Sequence, residues 1–101
     1  DLNSPDRVRH VESYDDNVFV LLREMGEGLS AALFFNTGDD PVQRSYTLQA
    51  LGLPPAQWIY EWGLEIQPEA PADEVSLLLA AHDARLLFLA NRRLAELPPS
   101  L

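Results

Sequence analysis

The sequence predicts an all-β domain: an antiparallel β-sandwich of about six to eight strands with Greek-key and meander connections. Three observations carry that expectation. From Val18 to Ala90 the chain is a series of short apolar runs of strand length, divided by turn signals. The first three runs are joined by two short turn segments, which is the pattern of a meander. Outside one stretch near the C-terminus, helix signals are scarce.

The first run is NVFVLLRE, Asn17 to Glu24, followed by Met25-Gly26-Glu27-Gly28. Two glycines there tolerate the positive φ of a hairpin turn. LSAALFFN, Leu29 to Asn36, is the second run, and Asn36 to Asp40 supply the turn after it. The third, VQRSYTLQ (Val42 to Gln49), alternates at its end, with Tyr46 and Leu48 on one face and Ser45, Thr47 and Gln49 on the other. That is a strand with one wet side. The first two runs are apolar on both faces, as in strands covered from both sides. Phe34 and Phe35 are expected to point one toward each face.

Ala50 to Pro55 reads as a connector, because Gly52 and the Pro54-Pro55 pair stop a ladder. QWIYEWG, Gln57 to Gly63, is an aromatic strand, and Leu64 to Ala72 an exposed loop. A last hairpin joins Val75–Ala80 to Arg85–Ala90 through Ala81-His82-Asp83-Ala84. Local propensity alone would make Val75 to Leu97 a helix, since it is rich in alanine and leucine and lacks proline and glycine. The hairpin is preferred because the earlier strands need partners. A short strand around Arg7 to Val11 and a helical turn after Asn91 complete the expectation.

With 101 residues the chain is one domain, 1–101, with its core in 17–90. Apolar residues make up 47%, too many for a disordered chain. No apolar run approaches the about 20 residues of a membrane-spanning helix. The net charge of −9, from 16 acidic and 7 basic residues, leaves no basic footprint for nucleic acid or an anionic membrane surface. The absence of cysteine rules out disulfides, thiolate metal sites and a cysteine nucleophile, and fits a reducing compartment such as the cytoplasm. A chain starting at Asp1 without a signal pattern reads as part of something longer.

The chemical candidates give way to plainer readings. His10 and His82 are the only histidines, and neither has a metal-ligand neighbour at i+2 or i+4. No serine sits in a G-x-S-x-G elbow. The acid pairs Asp15-Asp16, Asp39-Asp40 and Asp73-Glu74 fall in turns or on adjacent strand positions, where two carboxyls do not converge. Glu61 with Glu65 belongs with these pairs. The oxygen-rich stretch Asn36-Thr37-Gly38-Asp39-Asp40 invites a calcium reading but misses the EF-hand spacing. A turn with Gly38 in a left-handed conformation, Asn36 or Asp39 bonded to local backbone, and Pro41 restarting the chain is the better account. No catalytic, metal or cofactor site is expected. Trp58, Tyr60 and Trp62, at i, i+2 and i+4, share a strand face; exposed, such a row stacks sugar rings, but aromatics so placed more often fill a core.

The order of elements resembles a known module. LSAALFFNTGDDP, the connector ALGL, a strand ending in YEWG and the hairpin LLLAAHDARLLFLA are similar to the C-terminal all-β domain that follows the (β/α)8 barrel in glycoside hydrolases of the α-galactosidase (melibiase) and α-amylase kinds. Leu33 to Asn36 stands where those families have "LFN" or "VLN" before a polar turn. Tyr60 to Gly63 resembles an aromatic "D-x-W-x-G" stretch, with Glu61 in place of the usual acid and one residue of spacing lost. His82 holds the His/Tyr position of the last turn, with Ala80 in place of a proline, and VFVLLRE resembles the amylase "V-F-x-x-x-R" strand. The resemblance implies a non-catalytic accessory domain packing on and stabilising a barrel of the same parent chain, with Phe19, Leu21, Leu33 and Phe35 as an interdomain face. The alternative is a carbohydrate-binding module using Trp58, Tyr60 and Trp62.

Overall fold

The computed structural model describes the backbone of residues 7–12 and the whole of residues 17–99. Among these are seven strands and no helix: β1 (Arg7–Glu12), β2 (Val18–Gly26), β3 (Leu29–Asn36), β4 (Val42–Thr47), β5 (Trp58–Glu61), β6 (Glu74–Leu79) and β7 (Ala84–Ala90). They form two antiparallel sheets, one of five strands in the order β1-β2-β3-β7-β5 and one of two, β4-β6. β1, β2 and β3 are the expected meander. β7 enters between β3 and β5, after the chain has visited the second sheet twice.

Alternation builds the core. Val18, Val20 and Leu22 of β2, Ala32 and Phe34 of β3 and Leu87 and Leu89 of β7 point inward and meet Val75, Leu77 and Leu79 of β6. Tyr46 packs on them, its ring 5.5 Å from that of Phe34. Two strands are too few to cover five, and the connector makes up the difference. Leu48, Leu51 and Leu53 are buried in the same cluster. Their segment is held by short-range bonds from Leu51 N to Thr47 O, Gly52 N to Gln49 O and Leu53 N to Leu48 O.

The stretch with helix propensity, Val75 to Leu97, is not helical. It holds β6, the turn at His82 (φ 58°) and β7, followed by an irregular tail. β3 requires this outcome: its free edge pairs with β7 along seven positions, from Leu29↔Ala90 to Phe35↔Ala84. The tail, residues 91–99, has no helical turn.

The turn after β3 differs from expectation in two respects. Asn36 is fully buried at the end of the strand. Its Oδ1 accepts from Gly38 N (2.9 Å), and its Nδ2 donates to the carbonyls of Asp40 (2.8 Å) and Ala80 (3.0 Å), with a longer approach to Leu79 O (3.4 Å). Its own amide donates to Asp83 O (2.9 Å). One side chain thus closes its own turn and ties the first sheet to the end of the second. Gly38, moreover, is not among the residues with positive φ. What confines it is space: a Cβ would lie 3.2 Å from Asn17 Cγ and 3.3 Å from Asn36 Oδ1. The β2–β3 hairpin does use left-handed backbone, at Gly26, Glu27 and Gly28.

Two predictions follow from these contacts, both read as the urea unfolding midpoint. Phe34→Ala should cost about 3–5 kcal/mol, as for a large aromatic removed from a core, whereas Phe35→Ala on the open face should cost about 1 kcal/mol or less. Asn36→Ala should cost about 2–3 kcal/mol because it strands buried carbonyls, with Gly38→Ala near 1 kcal/mol as Asn36 is pushed aside. Asp39→Ala should leave the midpoint in place.

Candidate functional site

The two outer faces of the sandwich differ in chemistry. On the two-stranded sheet, Gln43, Ser45 and Thr47 alternate outward beside Glu74, Ser76 and Leu78. Ser45 and Ser76 are register partners whose hydroxyls lie 3.0 Å apart. Apart from Leu78 this is a wet face. The outer face of the five-stranded sheet is apolar throughout β2, β3, β7 and β5, except for Arg23.

Register turns that second face into rows. Phe19 lies opposite Phe35, and Phe35 opposite Ala84. Leu21 lies opposite Leu33, and Leu33 opposite Leu86. Trp62 N donates to Leu86 O (2.9 Å), so Trp62 extends this second row by one position past β5. The two rows are open: Phe19 is 46% exposed, Leu21 39%, Phe35 36% and Trp62 52%. The next rows contain Ala31, Phe88 and Tyr60, then Leu29, Ala90 and Trp58. These are covered by the chain's own tail through Leu94 and Leu97.

Polar contacts secure the tail. Leu94 N donates to Tyr60 Oη (2.7 Å), Trp62 Nε1 to Pro99 O (3.2 Å), and the Arg93 guanidinium to Pro68 O (3.2 Å). Arg92 reaches Glu27 O, and Asn91 N donates to Gly28 O (3.0 Å). The four residues expected to form an interdomain face, Phe19, Leu21, Leu33 and Phe35, therefore stand together on the uncovered half of one sheet.

The aromatic row expected for sugar stacking is not an open platform. Trp58 is half-buried and Tyr60 is 2% exposed, because the tail lies across both; only Trp62 faces solvent. The sequence shows the strand periodicity of these rings, but the cover comes from residues more than thirty positions later. Leu94 and Leu97, three apart in an irregular segment, give no pattern that would announce it.

The acidic candidates separate. Asp39 Oδ1 lies 2.8 Å from His82 Nε2, both side chains well exposed, joining the β3–β4 and β6–β7 turns at the tip. Glu61 binds the Arg85 guanidinium in a two-bond fork, and Arg85 NH1 also donates to Leu78 O (3.1 Å). That hydrogen bond raises the pKa of Arg85 against the opposing effect of its partial burial. The pair spans from the five-stranded sheet to β6 and forms one wall of a cleft of about 300 Å³. Ile59, Val75 and Leu87 line the cleft, with Leu64 and Ile66 from the following loop. Among the described residues no three acidic or histidine side chains gather as metal ligands. The side chain of His10, and Asp15 and Asp16, lie outside the described residues.

Replacing Tyr60 by Phe should release the Leu94 amide. Hydrogen exchange at Leu94 is expected to accelerate, at a cost of about 1 kcal/mol in the bond lost, while amides of β3 and β7 keep their protection.

No protein-family model matches the sequence, and no curated protein resembles it in sequence. Solved structures do match in fold. One is a GH27 β-L-arabinopyranosidase from Geobacillus stearothermophilus, with a TM-score of 0.75 at 17% identity over 85% of this chain. Another is α-galactosidase I from Mortierella vinacea, with a TM-score of 0.66 at 13% identity over 81% of this chain. This chain covers 20% and 22% of those two proteins. It has the fold of a small part of each, and the α-amylase side of the expected resemblance finds no support.

Proposed function

We propose that this chain is the non-catalytic C-terminal accessory sandwich of a glycoside hydrolase of the α-galactosidase kind, packing on and stabilising a catalytic barrel in the same polypeptide. The observation that carries this reading is the asymmetry of the two outer faces. A folded domain does not ordinarily leave two adjoining rows of Phe, Leu and Trp on one sheet in water, and such patches mark interaction surfaces. Phe19, Leu21, Leu33 and Phe35 supply the face, and the hydroxyl and carboxylate side chains of the opposite sheet stay in solvent. The fold shared with about a fifth of an arabinopyranosidase and of an α-galactosidase supports a larger enzyme as the source of the partner. The acids placed by the structure, Asp39 beside His82 and Glu61 beside Arg85, are engaged in holding turns and sheets, which supports placing the chemistry elsewhere in the parent.

A sugar-stacking role for Trp58, Tyr60 and Trp62 is the weaker reading, because of the three only Trp62 is well exposed. A tryptophan emission change on adding oligosaccharide that disappears in Trp62→Ala would favour it.

The docking reading is tested in the full-length polypeptide carrying these residues. The double substitution Phe19→Ser, Phe35→Ser should leave the 101-residue chain folded by circular dichroism. In the full-length protein it should split one cooperative thermal transition into two. A single unchanged transition would overturn the docking role.

A further inference from the structure

Beyond the four-residue face, Trp62 and the loop after it stand out. Trp62 is set in the row Leu21–Leu33–Leu86 by its backbone bond to Leu86 O, and its indole Nε1 donates to Pro99 O. The ring is held at the boundary where the tail's cover ends and the open rows begin, yet it is 52% exposed. A tryptophan held by one edge with its face free loses little side-chain freedom on binding, which is why such residues anchor interfaces. From Trp62 the chain runs around the β5 edge. Leu64 is 49% exposed and Ile66 75%, the highest among the exposed large apolar side chains of the described residues. Both line the cleft at the seam between the sheets. Among the described residues, four of the exposed large apolar side chains lie on the face or its row end, and two more follow directly on this loop.

We infer that the docking partner does not stop at the flat sheet face but wraps the β5 side of the sandwich, with Trp62 as its anchor and Leu64 and Ile66 seated against it. This rests on the docking reading above and names the same occupant, the neighbouring unit of the same polypeptide. Continuity argues for one occupant rather than two. The apolar row runs without a polar break from Leu21 to Trp62, and the loop carries on from that position. The tail occupies the other half of the face, and the outer face of β4 and β6 is polar apart from Leu78. The surface left to a partner is an L-shaped strip, along the two open rows and around the sheet edge to the cleft mouth. A partner that fits it presents a broad apolar surface with a projecting ridge.

Hydroxyl-radical footprinting with residue-level mass spectrometry tests the inference, comparing the 101-residue chain alone with the full-length polypeptide. The expected result is loss of labelling at Trp62, Leu64 and Ile66 together with Phe19 and Phe35 in the full-length protein, while Leu78 on the opposite sheet labels equally in both. Protection of Phe19 and Phe35 with undiminished labelling of Trp62, Leu64 and Ile66 would overturn the wrapped interface and leave the docking reading standing. Undiminished labelling at all five would overturn both.

Discussion

The buried amide of Asn36 is the constraint on which the rest of the structure depends. A sandwich must end its strands somewhere, and where such an end is buried its carbonyls and amides need a partner within the protein. At the tip of this domain one residue serves several: it closes the turn through Gly38 N and Asp40 O, and it reaches across to Ala80 O at the end of β6. An amide does this because it carries a donor and an acceptor on one rigid plane. An aspartate would present two acceptors to three carbonyls and be repelled.

Fixing the end of β3 also fixes its phase. Side chains alternate along a strand, so a slip of one residue would carry every inward group outward. With Asn36 anchored inward, Phe34 enters the core beside Tyr46 and Phe35 emerges opposite Phe19. The apolar outer face is thus a consequence of the same register that fills the core. The Glu61–Arg85 pair plays a comparable part at the seam, where Arg85 links β5 and β7 to the carbonyl of Leu78 on β6. The five-stranded sheet is covered inside by two strands and a leucine-rich connector, and outside on one half by the tail. The remaining half stays open, with Phe19, Leu21 and Phe35 exposed.

Much of this was legible in the residues. Short apolar runs between turn signals mark β2, β3, β4 and the last hairpin, and hydrophobicity on both faces sets β2 and β3 apart. Other features were not. Val75 to Leu97 has the local propensity of a helix, and the pairing of β7 with β3 overrode it, since an unpaired buried edge costs more than propensity gains. Gly38 looked like a left-handed turn glycine, but its constraint is the proximity of Asn17 and Asn36, which no local pattern encodes. Trp58, Tyr60 and Trp62 share a face as their spacing requires; whether that face is wet depends on a tail that follows β7.

By itself, then, the sequence determined the class of fold, the phase of β4 and the apolar character of both faces of β2 and β3, because alternation and turn chemistry act over a few residues. Only the tertiary structure decided which apolar surface remains open. Coverage depends on contacts between segments far apart in the chain: the tail on Tyr60, the connector leucines under the five-stranded sheet, and Asn36 on the end of β6. Those contacts sort equally apolar residues into core, covered face and open strip.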